Sequence, residues 1–159
     1  MDANAGTALE LREWLPYQLV STADTVSRAF AAIYRERFGL TRQQWRVLAA
    51  VAANPGVTSA EVCSYSTLDK MQVSRAVAQL SEAGFLGVRQ GAGDRRTKRL
   101  QLSARGRQLY AQLVPLAQRL ERELLAGLDP AEARLLRRLL PKLSARAAAL
   151  GDAAATADD

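Results

Sequence analysis

At Gly84 the apolar rhythm of the chain changes. Upstream, Val73, Ala76, Val77 and Leu80 recur every three or four residues, the spacing of one helix face, and predict a helix over residues 70 to 83. Downstream, FLGVRQ reads as a strand, GAGD as a flexible turn and TKRLQLS as a second strand alternating between faces. Upstream of the helix, Asp69 is a good N-cap, and the turn Ser66, Thr67, Leu68 separates it from a short helix over residues 58 to about 65. Two short helices, a tight turn and a hairpin with a long basic tip make a winged helix-turn-helix.

The flanking segments are helical in pattern. Residues 9 to 37 carry Leu19, Ala23, Val26, Phe30 and Ile33 on one stripe, with Pro16 beginning or kinking the regular part and Gly39 ending it. Thr41 and Gln44 are spaced as a capping box, in which a hydroxyl and an amide satisfy free backbone donors. The helix they start turns Trp45, Leu48 and Val51 inward, and Asn54, Pro55 and Gly56 stop it. Ser103 can cap a later helix striped by Leu109, Leu113, Leu116 and Leu120. Asp129, Pro130 and Glu132 start a last one, carrying Leu135, Leu136, Leu139, Leu140 and Leu143. Pro115 and Pro141 are expected to bend or interrupt these two helices.

The expected fold is mostly α with a small β-hairpin wing. Its organisation is an N-terminal dimerisation helix (1–38), a winged helix-turn-helix DNA-binding lobe (39–107), C-terminal dimerisation helices (108–149) and a disordered tail (150–159). With 159 residues, 48% apolar and 24% charged, the chain can bury a single core.

Charge locates a partner. Between Asp69 and Arg107 stand nine positive and three negative residues, so the whole net charge of +6 falls in that segment and the rest is neutral. A basic excess so confined points to a polyanion. A helix fits the major groove of DNA, where its N-terminal side chains reach base edges. Here the exposed set is Lys70, Met71, Gln72, Ser74 and Arg75. Gln72 and Arg75 suit bases, whereas Lys70 and Ser74 suit phosphates. In the wing, Arg95, Arg96, Lys98 and Arg99 can reach the neighbouring minor groove, where arginine favours narrow A·T tracts.

The stretches LTRQQWRVLAAV, LDKMQVSRAVAQLSEAGFL and DRRTKRLQLSARG resemble the MarR family of bacterial regulators, over roughly residues 15 to 145. The most specific piece is Asp94, Arg95 and Arg96 followed by Leu100, Gln101, Leu102, Ser103 and Gly106; Ser103 stands where threonine is commoner in the family. The resemblance implies a homodimer whose first and last helices intertwine, and a small-molecule site between that interface and the DNA-binding lobe. It also makes Arg96 the wing-tip arginine, oriented by Asp94.

Several side chains are candidates for an effector site. Trp14, Tyr17 and Trp45 could line a pocket for an aromatic ligand, with Tyr65 a further aromatic, although such residues also serve as core. Arg46 faces elsewhere than Trp45 and could pair with a ligand carboxylate, or with Asp24 or Glu61. The expected function is a ligand-responsive regulator, a repressor, that grips pseudo-palindromic double-stranded DNA and is released by a small aromatic or heteroaromatic acid. The alternatives are a redox-sensing repressor using Cys63 and an architectural binder with no effector. Zero histidines, one cysteine and no phosphate-binding loop argue against an enzyme, a metal site or a cofactor. No apolar run approaches a membrane span and the first residues lack a signal peptide's pattern, so a cytoplasmic location is expected.

Overall fold

The computed structural model describes residues 9–90 and 98–155. Six helices and two strands follow in the order α1 (Leu15–Phe38), α2 (Arg42–Ala53), α3 (Ser59–Ser66), α4 (Lys70–Glu82), β1 (Leu86–Gln90), β2 (Lys98–Leu102), α5 (Ala104–Leu125) and α6 (Pro130–Ala155). They divide into two compact units, one through Leu113 and one from Val114.

In the first unit, local chemistry sets each boundary. Pro16 occupies the first turn of α1, where its missing N–H costs nothing, so the regular helix starts at Leu15 rather than near Leu9. Gly39 closes α1 at φ 66°, a left-handed conformation that glycine adopts without a Cβ clash. The capping box on α2 forms: the Thr41 hydroxyl accepts from Gln44 N at 3.2 Å and Thr41 N donates to Gln44 Oε1 at 2.8 Å. The core gathers one stripe from each element, including Tyr34, Val47, Leu48, Val62, Val73, Leu80 and Leu100, all at most 2% exposed. Burying each such aliphatic side chain contributes about 1.5–3 kcal/mol, which is what fixes α2, α3 and α4 against the hairpin.

Strands β1 and β2 pair antiparallel from Leu86 opposite Leu102 to Gln90 opposite Lys98. An isolated antiparallel bridge ties the segment after α2 to β2: Gly56 N donates to Leu100 O at 2.9 Å and Leu100 N to Val57 O at 2.8 Å. The start of α5 is sewn to the end of α4, with Ser103 Oγ donating to Gly84 O at 2.6 Å and accepting from Gly106 N at 2.9 Å. Gly106 is buried beneath the Phe85 carbonyl, and a Cβ there would lie 2.0 Å from that oxygen.

The second unit comprises the rest of α5 and α6. Asp129 caps α6, accepting from Ala131 N at 2.6 Å and Glu132 N at 2.9 Å, while Glu132 accepts from Asp129 N at 2.8 Å. Arg137 bridges to Glu121 at 2.8 Å. Neither proline interrupts its helix: Pro115 and Pro141 both lie inside continuous helices, so of the bend or interruption expected from the sequence the interruption does not occur. Each removes one backbone hydrogen bond, and the surrounding turns hold. α6 also runs on to Ala155, six residues into the segment 150–159 expected to be disordered.

Large apolar side chains remain in solvent in the single chain. Leu15, Leu19 and Val20 on α1 are 54%, 37% and 69% exposed, and Leu135, Leu136, Leu139, Leu140 and Leu143 on α6 lie between 39% and 45%.

Candidate nucleic-acid interface

The interface is built from the turn between α3 and α4 outward. Thr58 and Glu61 form a second capping box at the start of α3, with Thr58 N donating to Glu61 Oε2 at 2.7 Å. The Thr58 backbone bond, then its hydroxyl, hold the Glu61 carboxyl below the ordinary carboxylate range, and the Arg99 charge adds to this. α3 ends on Thr67 at φ 54°, a left-handed conformation that is costly for a β-branched residue. Arg46, reaching from α2, donates through Nη1 to Thr67 Oγ1 at 2.9 Å and to Ser66 O at 3.4 Å. Buried Leu68 then pins the turn to the core.

A third capping box begins α4. Asp69 Oδ1 accepts from Gln72 N at 2.8 Å, and Asp69 N donates to Gln72 Oε1 at 3.2 Å. Val73, Ala76 and Leu80 bury one face of the helix. Lys70, Met71, Ser74 and Arg75 stand exposed on the other, and Gln72 is half-buried. Gln44 Nε2 donates to Gln79 Oε1 at 3.2 Å and ties α2 to α4. Between these helices runs a groove of about 210 Å³ lined by Thr41, Gln43, Gln72, Arg75, Ala76 and Gln79.

The hairpin places further cations. Lys98 and Arg89 are exposed, and Arg89 stands directly opposite Arg99 across the two strands. Like charges so paired destabilise a sheet unless an anion lies near. Arg99 Nη1 donates to Gly56 O at 2.9 Å, so this arginine also braces the segment bridged to β2. Among the described residues, none of Lys70, Arg75, Arg89 and Lys98 has a carboxylate partner. Asp94, Arg95 and Arg96, the expected wing tip, lie outside the described residues.

Of the four effector candidates, the structure brings two together. Trp45 stacks between Tyr34 and Tyr110, with ring centroids 4.9 and 6.2 Å away. Trp45 and Arg46 line a cleft of about 500 Å³ with Ala49, Ala53, Tyr65 and Thr67. Burial, then the nearby Arg42 charge, lower the pKa of the Arg46 guanidinium. Its partners are Ser66 and Thr67; neither Asp24, which pairs with Arg28, nor Glu61 reaches it. Trp14 and Tyr17, at 45% and 39% exposure, do not line this cleft. A second cavity of about 380 Å³, largely apolar, lies between Val51, Pro55, Leu102, Arg107 and Tyr110. Cys63 is half-buried and its thiol donates to Ser59 O at 3.3 Å.

Sequence reasoning missed the Thr58–Glu61 capping box, although the Thr-x-x-Glu spacing was there to be read. The bonds from Arg46 to Thr67 and from Arg99 to Gly56 span 21 and 43 residues and have no local signature. Among the described residues no helix is long and apolar enough to cross a membrane, and no cluster of His, Cys, Asp and Glu could hold a metal ion.

Comparison with known proteins agrees with this geometry. The sequence model of the MarR family matches residues 38–97, from the end of α1 to the start of β2. The chain is similar to the transcriptional regulator HosA of Escherichia coli O157:H7, 25% identical over 104 residues, which make up 65% of this chain and 77% of that protein. It is also 33% identical over 91 residues to the HTH-type transcriptional regulator YwoH of Bacillus subtilis (strain 168), covering 57% of this chain and 66% of YwoH. Among solved structures, Bordetella bronchiseptica BpsR, whose DNA binding is regulated by 6-hydroxynicotinic acid, superposes with a TM-score of 0.78 at 25% identity. That match covers 86% of this chain and 97% of BpsR.

Proposed function

We propose that this chain, which belongs to the MarR family of winged helix-turn-helix transcriptional regulators, binds pseudo-palindromic double-stranded DNA as a homodimer and represses transcription until a small aromatic or heteroaromatic acid releases it. The observation that carries the DNA-binding part is the open polar face of α4. Lys70, Ser74 and Arg75 project from a helix whose other face is locked in the core, beside a hairpin whose Arg89 and Lys98 have no carboxylate partner among the described residues. Such a helix, offered N-terminus first, suits the major groove, and the hairpin with Lys98, Arg99 and the expected tip residues Asp94, Arg95 and Arg96 suits the adjacent backbone and minor groove. Residues 1–38 and 108–149 serve as dimerisation helices. The exposed leucines of α6 support this, because a single chain leaves in water an apolar stripe that a second copy would cover.

The effector site rests on Trp45 and Arg46. The cleft they line offers an aromatic wall and a cation with no carboxylate partner among the described residues, which suits an aromatic carboxylate. Trp14 and Tyr17 belong to the proposed site only if the assembled dimer brings α1 of a partner toward it. BpsR, a protein of similar fold, responds to a heteroaromatic acid, which supports this ligand class. A thermal-shift screen of aromatic acids, 6-hydroxynicotinic acid included, tests the reading, since a ligand selective for the folded form raises its melting temperature. The hit is then assayed for DNA release from wild type, Arg46→Ala and Trp45→Ala, each at duplex concentrations scaled to its own affinity. Full release from both variants would place the effector elsewhere.

A further inference from the structure

Met71 is the unexplained residue of the recognition helix. It is 73% exposed, the most exposed large apolar side chain among the described residues. At about 100° per residue along a helix, it points roughly opposite the buried stripe of Val73, Ala76 and Leu80, so it adds nothing to the core. Its neighbours on that face are Lys70, Ser74 and Arg75, and neither cation has a carboxylate partner among the described residues. An apolar side chain held at the middle of a cationic face, one position into the helix, needs a partner that is anionic around its rim and apolar at one point.

The major groove has that character. Its phosphates flank it, and the thymine 5-methyl is its one apolar feature. The neighbouring amide strengthens the case. Gln72 Oε1 already accepts from Asp69 N in the capping box, which uses one of its two lone pairs, while its Nε2 remains a donor. A bidentate adenine contact, which needs donor and acceptor together, would have to share that oxygen with the cap. The thymine side of an A·T pair beneath this turn offers Met71 the one apolar contact in the groove.

Building on the DNA-binding reading above, we infer that Met71 is a specificity-determining residue that packs on a thymine methyl group in each half-site, while Gln72 donates from Nε2 to a base acceptor. The test begins by enriching duplexes from a random pool with the full chain. Each thymine of the enriched duplex is then replaced by deoxyuridine, which lacks only the methyl, symmetrically in both halves. One thymine per half-site should weaken wild-type binding by about fourfold for each methyl lost, the worth of one buried methyl group. Met71→Ala should bind the parent duplex more weakly and be indifferent to that replacement, whereas Met71→Leu should keep the sensitivity. Circular dichroism melts confirm that both variants fold, as expected for so exposed a position.

If no thymine of the enriched duplex matters to the wild type, or if Met71→Ala loses as much as the wild type on the same replacement, the inference is overturned while DNA binding stands. If no duplex is enriched at all, the DNA-binding reading falls and this one falls with it.

Discussion

Arg46 Nη1 donates to Thr67 Oγ1 at 2.9 Å, joining the middle of α2 to the left-handed residue that ends α3. Thr67 donates in turn to Ser66 O at 2.7 Å, and α4 starts three residues later. A side chain of the proposed effector cleft thus holds the turn that aims the recognition helix. A left-handed β-branched residue costs on the order of 1–3 kcal/mol and persists only where its surroundings compensate.

Arg46→Ala is expected to lower unfolding stability by about 1 kcal/mol, the net worth of one such bond, and to weaken duplex binding with the helical content unchanged. Adding Thr67→Gly removes the backbone strain and should recover part of the affinity. Chemical denaturation and fluorescence anisotropy read both effects. Wild-type affinity in Arg46→Ala would show that the turn stands without its brace.

Gln72 separates capping from base contact. Gln72→Glu keeps an oxygen for Asp69 N and retains the capping box, but removes the Nε2 donor and adds charge. It should melt close to wild type and lose sequence-specific binding. Gln72→Ala should lose the cap and the base contact together, with about 1–3 kcal/mol of DNA affinity gone. Specific binding by Gln72→Glu equal to wild type would exclude a base-reading role.

Gly106→Ala forces a methyl group to within 2.0 Å of the Phe85 carbonyl oxygen unless α5 moves from the hairpin. Overpacking against backbone is expected to cost about 1–3 kcal/mol. A melting temperature unchanged from wild type would mean that the junction yields freely.

Local chemistry was legible in advance and long-range chemistry was not. The caps at Thr41, Asp69 and Asp129, the stop at Gly39 and the hairpin after Gly84 each depend on residues within a few positions, so their spacing announced them. The bridge from Val57 to Leu100 forms, and Arg46 and Arg99 find their partners, only once the chain has folded. The exposed face of α4 was readable as a set of residues. The engagement of Gln72 Oε1 by its own cap was not, because a Gln three residues after Asp serves equally as a base reader or as half of a capping box. Pro115 and Pro141 do not interrupt α5 and α6: a pattern shows the missing donor, but not whether neighbouring turns hold the helix together.

Glu61 makes stability respond to acid. Its carboxyl is held below its ordinary value near 4.5 by the Thr58 bonds, so the unfolded chain takes up this proton first. The stabilisation is therefore complete above the unfolded value and fades as pH falls through the lower, folded one. Glu61→Gln keeps the cap with a group that does not titrate, and its stability should fall less steeply than wild type below about pH 5. Parallel slopes in the two proteins would remove Glu61 from the acid response.

Leu139 and Leu143 are 41% and 42% exposed in the single chain, so charge at these positions leaves the fold of one copy intact. The double substitution Leu139→Glu and Leu143→Glu should give a folded monomer by sedimentation and a large loss of affinity for two-half-site DNA. A dimer that survives both charges would move the interface off this face of α6.

The central claim is that the α4 face and the hairpin grip DNA and read its sequence. Its most direct test is the affinity of the full chain for an enriched duplex and for a scrambled duplex of equal length, measured across a range of salt. The account predicts that the enriched duplex binds at least about a thousandfold more tightly at physiological salt, and that both affinities fall linearly on a log–log plot as salt rises. Equal binding to the two duplexes, or binding indifferent to salt, would contradict it.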